Sequence, residues 1–185
     1  MKNSSLRMSR QCLVSFFSIT VLVLLFTACK KDHDEHLPEQ DAIDKSSIGL
    51  SAQTVAQLKE AKAATEKYRS MDQAIADGYA DINVVRQNMG MHYLKAALLD
   101  TIFEPSKPEI LVYNKQHDGS IELVAVEYAV PIPLSPSKAP QGFDGGSDNW
   151  SYSTEFNLWL LHAWVWEYNP QGIFNATNPL VHLHN

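Results

Sequence analysis

Four polar side chains, three of them on strand faces shared with apolar residues and one at an expected junction, are of the types that serve as metal ligands or proton-transfer groups. His162 lies inside the apolar and aromatic run Glu155 to Pro170, EFNLWLLHAWVWEYNP. A period of two places Leu158, Leu160, His162, Trp164 and Trp166 on one face and Trp159, Leu161, Ala163, Val165 and Glu167 on the other. Glu127 shares a face with Leu123, Ala125 and Ala129 in a second apolar run. Glu109 lies on the face of Leu111 and Tyr113, and His92 follows Gly90 at an expected junction into a short helix over 95–99. A buried carboxylate needs a cation, a hydrogen-bond donor or a raised pKa. His92, Glu109, Glu127 and His162 therefore form a candidate divalent-metal set, with imidazole and carboxylate donors suited to Zn²⁺, Fe²⁺, Mn²⁺ or Ni²⁺. The competing arrangement is a buried cluster in which His162 pairs with Glu127 and no metal is bound.

Other groups carry weaker signals. His182 and His184 have HxH spacing, which would put both rings on one face of a terminal strand. His33 and His36 lie in an acidic tract, where ligands must be ordered before they chelate. Trp164 and Trp166, with Tyr128, are candidates for lining a small-ligand pocket, and exposed tryptophans would suit a carbohydrate; core filling is the competing use of the same rings. No phosphate loop, nucleophile elbow or HExxH helix is present in the sequence.

These residues need a scaffold. Ser51 is placed to cap a helix with Val55, Leu58, Ala61, Lys62 and Thr65 at three- and four-residue spacings, and Ser70 or Asp72 starts a shorter one that stops at Gly78. The following ADINVVRQNMG reads as irregular. Residues 110–114 and 121–130 are rich in β-branched and aromatic types, and Asp118-Gly119 between them predicts a hairpin. A proline-, glycine- and serine-rich loop spans Pro131 to Asn149 and is expected to be a lid, a binding loop or disordered, with Phe143 as a pin. The Phe156 to Tyr168 stretch supplies another strand. The expected fold is α+β, with N-terminal helices packed on a small curved antiparallel sheet.

The amino terminus sets the expected location. Lys2, Arg7 and Arg10 precede an apolar run, Cys12 to Phe26, which ends in Leu25-Phe26-Thr27-Ala28-Cys29. This resembles a bacterial lipoprotein signal, implying removal of residues 1–28 and lipidation of Cys29. Residues 29–50 then read as a charged flexible tether, and 51–185 as a single domain. The lysines and acids after Cys29 resemble the export signal of surface lipoproteins in the Bacteroidetes group. The expected location is the bacterial cell envelope, anchored by lipid to a membrane, with the outer membrane and its surface favoured. The formal charge is −6, and removing the three basic residues of the signal gives −9, which argues against nucleic acid. With Cys12 in the signal and Cys29 lipidated, no disulfide is available.

The series MGMHY, PEILVY, LVAVEYAVP, LHAWVWEYNPQGIF and NP, from Met89 to Pro179, resembles an uncharacterised family of secreted bacterial proteins. The resemblance also takes in KYRSMDQAIADGY. It implies a matching His, Glu, Glu, His set at His92, Glu109, Glu127 and His162, and no particular activity. Two function classes follow: an envelope lipoprotein binding a divalent metal or a small ligand, or an interaction or scaffold lipoprotein whose cluster is structural and whose 131–149 loop meets an envelope partner.

Overall fold

The structure is a computed structural model of the chain, and it describes residues 41–182. The expected signal sequence, Cys12, Cys29, His33, His36 and His184 lie outside the described residues. Among the described residues no helix is long and apolar enough to cross a membrane.

Helices and sheet are segregated in the chain, as expected. The short α1 (Ala42–Ser46) is capped by the Asp41 carboxylate and fully buries Ile43. Part of the segment read as tether is therefore packed against the core: one buried isoleucine is enough to hold a turn of helix in place. In α2 (Ala52–Thr65), the Ser51 hydroxyl accepts from the Thr54 N–H, and Thr54, Leu58, Ala61 and Thr65 form the buried stripe. A 3₁₀ segment, Glu66–Arg69, continues it, and Ser70 caps α3 (Met71–Ala76).

The sheet has six strands where sequence patterning identified three. They are β1 (Ala80–Arg86), β2 (Gly90–Leu94), β3 (Ile110–Lys115), β4 (Ile121–Pro131), β5 (Ser151–Ser153) and β6 (Leu158–Ala163). Their order is β1-β2-β3-β4-β6-β5, every neighbouring pair is antiparallel, and the sheet curls into a half-barrel.

Three local expectations change. The segment 80–86, read as irregular, is β1. A register shift between Asp81 and Val85, with Asn83 at φ 56°, breaks the alternation of Ile82, Val84 and Val85 that would have marked a strand. His92 is consequently the middle residue of β2 rather than a junction residue, and the helix expected over 95–99 is a single 3₁₀ turn, Ala96–Leu98. Finally, β6 ends at Ala163, well short of Tyr168. The Trp164 N–H donates to the Ile173 carbonyl and those of Trp166 and Glu167 to Val124, which turns the chain out of the ladder.

The helices cover one face of the sheet. Tyr93 and Tyr113 meet edge to face there, and the Tyr113 hydroxyl donates to the Tyr68 carbonyl at 2.7 Å, tying β3 to the 3₁₀ segment. Tyr113→Phe leaves that buried carbonyl without its donor and is expected to cost about 1–2 kcal/mol, read as a lowered urea midpoint at unchanged slope. Gly90 opens β2 at φ +107°, and a Cβ there would fall 2.4 Å from the Tyr113 carbonyl oxygen, so the β2–β3 approach requires glycine. The 131–149 loop is a strap on the helical layer. Phe143 is buried against Phe103, Tyr128 and Phe174, the Asp144 N–H donates to Gln57, and its carbonyl accepts from the Thr54 hydroxyl.

Candidate metal centre

On the sheet's other face, three of the four candidate residues converge. Register places Glu127 of β4 directly opposite His162 of β6 and opposite Ile110 of β3. His92 of β2 stands opposite Val112, two residues further along β3. In a flat sheet His92 and Glu127 would be separated by a whole strand and offset along it. The curl closes that gap. Nε2 of His92 lies 3.7 Å from Oε2 of Glu127, and Nδ1 of His162 lies 3.2 Å from Oε1. One ligand atom from each residue falls within 4.8 Å of the others, and the two imidazole rings stand at 89° with centroids 6.0 Å apart. Two donors on one ion at about 2.1 Å would be separated by roughly 3.0–3.4 Å; the His162–Glu127 pair already stands at 3.2 Å, and His92, at 3.7 Å from Glu127, would have to draw in to join it.

The second nitrogen of His92 is held from behind. Its Nδ1 lies 3.0 Å from the Val84 carbonyl, which the β1 bulge turns toward it. A ring N–H donating there leaves the Nε2 lone pair facing Glu127. This is how a ligating histidine is oriented, and it fixes the tautomer. His162 is braced by Trp164, whose indole stacks on it at 5.8 Å and 15°.

All three groups are deeply buried: His92 is 3% exposed, His162 4% and Glu127 1%. Burial pushes the Glu127 carboxyl up to about 8 and the His162 imidazole down to about 3, the latter helped by the neighbouring His92. His92 is also lowered, again chiefly by burial. Without an ion, therefore, the atoms sit at ion-pair distance yet remain neutral near pH 7. Oε1 of Glu127 and Nε2 of His162 make no hydrogen bond within the protein. Each such buried orphan would cost about 1–3 kcal/mol, and an ion held between Glu127, Nε2 of His92 and Nδ1 of His162 would satisfy Oε1. Two imidazoles and a carboxylate on one side of an ion are a donor set that Fe²⁺ and Zn²⁺ accept with positions left open.

Glu109 does not join them. It is one residue before β3 and on the face opposite to Ile110, where its Oε2 accepts from the Ala129 N–H at 3.0 Å and burial raises its pKa to about 7. The face assigned to it from Leu111 and Tyr113 is the helix-covered one. Of the aromatic candidates only Trp164 touches the cluster, through its stack on His162, and none of the three lines the cavity that reaches it. Tyr128 is on that same face, donating to the Pro105 carbonyl at 2.8 Å and packed on Phe103 and Phe143. Trp164 is sealed, with its indole N–H on the Asn175 carbonyl. Trp166 is half-buried; its N–H reaches the Thr65 hydroxyl, and Lys62 and Arg69 cover its ring. Both tryptophans lie past the end of β6, so the alternation that gave them the His162 face no longer applies. His182 is exposed, and no terminal strand forms among the described residues.

The residues that sequence patterning did not reach are those that open the site. A cavity of about 370 Å³ ends on His92 and Glu127. Its walls are Ile82 and Val84 of β1, Leu94 of β2, Ile110 of β3, and Leu158 and Leu160 of β6; Met89, Leu99 and Phe156 add to them. Arg86 also lines it and pairs with Glu155, so the first strand and the β5–β6 hairpin approach across the curl. Leu158 and Leu160 were legible as partners of His162 in the alternation. The β1 contribution was hidden by the bulge. No protein-family model, curated protein or solved structure matches this chain.

Proposed function

We propose that this protein is a lipid-anchored envelope protein whose half-barrel holds one divalent metal ion through His92, Glu127 and His162, with Zn²⁺ or Fe²⁺ the best-matched occupants. The observation that carries the reading is the convergence of three buried side chains, with Nε2 of His92 at 3.7 Å and Nδ1 of His162 at 3.2 Å from the two carboxyl oxygens of Glu127, whose Oε1 has no hydrogen bond within the protein. The bracing of His92 by the Val84 carbonyl supports it, as does the cavity ending on the cluster, which would give the ion positions accessible to a small molecule. The four-residue set narrows to three, with Glu109 left out.

Metal analysis of the purified full chain tests this directly. Wild type is expected to carry close to one ion per chain, and His162→Ala less than a tenth of that while keeping its circular dichroism. A folded, metal-free wild type that takes up none of Zn²⁺, Fe²⁺, Mn²⁺ or Ni²⁺ would sink the reading in favour of a structural cluster. The anchor has its own test, resting on the Leu25 to Cys29 lipobox-like sequence. Labelled palmitate is expected in the wild type and absent from Cys29→Ser, which should also run as the larger uncleaved precursor. Equal labelling of the two would overturn the lipidation.

A further inference from the structure

The cavity beside the cluster constrains what can approach a bound ion, and this inference rests on the metal reading. At about 370 Å³ it is at the low end of the roughly 300–1,000 Å³ of small-molecule sites. Its walls carry almost no polar atoms apart from His92, Glu127 and Arg86. A divalent ion bound by two neutral imidazoles and one carboxylate leaves a net charge of +1, from +2 and −1. In an apolar, water-poor setting that charge is costly until an anion balances it. A single negative head group is enough, and a dianion would overshoot. The remainder of the molecule meets aliphatic walls, so it must be apolar.

We propose that the cavity takes an apolar monoanion, a short-to-medium-chain carboxylate, with its head on the ion between His92 and Glu127 and its chain along Ile82, Leu94, Ile110 and Leu158. Arg86 at the cavity's edge is half-exposed and engaged with Glu155. Sugars and nucleotides are poorly matched, because their hydroxyls and phosphates would find no partners on these walls.

The experiment uses the full chain in lipid nanodiscs, loaded with Co²⁺, whose visible spectrum reports ligand exchange at the ion. Acetate, butyrate and hexanoate are titrated in turn. Each methylene entering the cavity is worth about three- to fourfold in affinity, so hexanoate is expected to bind at least about 30-fold more tightly than acetate. Leu158→Trp and Ile82→Trp fill the cavity away from the ligands. They should retain the cobalt spectrum and compress the series to within about threefold. Ile82 is 36% exposed, so its variant should fold even if the tryptophan at 158 is not accommodated. A cobalt-loaded protein that responds equally to acetate and hexanoate, or to neither, would overturn the ligand class and leave the metal site standing. A chain that takes up no cobalt removes the metal reading itself, a result visible before any carboxylate is added.

Discussion

Glu127→Gln is expected to lower affinity for a divalent ion by at least about 100-fold while leaving the metal-free protein's melting temperature within a few degrees of wild type. The two halves of this result have separate causes. Coordination needs an anionic oxygen, and even partners standing behind the ligands are worth about 10–100-fold, so loss of a ligand should exceed that. Without an ion, however, burial already keeps Glu127 protonated, with its carboxyl pushed up to about 8. Glutamine replaces a neutral acid with a neutral amide of the same shape. Chelator competition for affinity and calorimetry for stability give both readings. Glu127→Ala is the contrast: it leaves a cavity beside two buried imidazoles and is expected to cost about 2–4 kcal/mol. Retention of metal by the Gln variant would remove Glu127 from the ligand set. A sharp fall in the Gln variant's melting temperature, beside a wild type that binds no metal, would make the cluster structural.

Stability and metal affinity are expected to respond to pH in opposite directions above neutrality. Glu127 has a folded pKa raised from 4.5 to about 8. Its contribution to metal-free stability is thus fully present below pH 4.5 and is lost as pH rises through about 8. His162 is lowered from 6.5 to about 3. Its contribution is present above pH 6.5 and is lost as pH falls through about 3. Between roughly pH 4.5 and 6.5 the two slopes cancel. Glu109, raised to about 7, and His92, lowered, oppose each other over that range in the same way. Metal-free protein should therefore show a plateau there, with stability falling on both sides, by on the order of 2–3 kcal/mol toward pH 8. Metal binding displaces the Glu127 proton, so affinity should rise about tenfold per pH unit up to about pH 8. Chemical denaturation of the metal-free protein across pH 4–9, beside chelator titrations over the same range, checks both. Metal-free stability that climbs steadily from pH 6.5 to 8 would contradict a neutral, buried Glu127. The Glu127→Gln variant should lose most of the fall between pH 6.5 and 8, keeping the part below about pH 7 that belongs to Glu109.

Much of the scaffold is set by short-range chemistry. Ser51 and Ser70 cap the helices because their hydroxyls satisfy first-turn N–H groups whatever packs above them. Asp118-Gly119 turns the β3–β4 hairpin because Gly119, at φ +86°, needs no Cβ clearance. Alternation put Leu158, Leu160 and His162 together and Glu127 on an apolar face, and both assignments stand within β6 and β4. Where alternation was interrupted, it misled. The bulge at Asn83 concealed β1, and the exit of the chain after Ala163 separated Trp164 and Trp166 from the strand periodicity that had assigned them.

The sequence by itself determined which side chains had to find polar partners: a histidine or carboxylate on a buried face carries that demand wherever the chain goes. It did not determine which of them would meet. Glu127 and His162 are neighbours because β4 pairs with β6 in one particular register, a contact between segments thirty-odd residues apart that no local pattern encodes. His92 reaches them only because the sheet curls across β3, and Glu109 is excluded because one residue of strand phase sends it to the helix-covered face. Convergence of three ligands is a property of sheet order, register and curvature. Those are decided by packing the whole domain, where helices cover one face and leave the other to close around the cluster and its cavity.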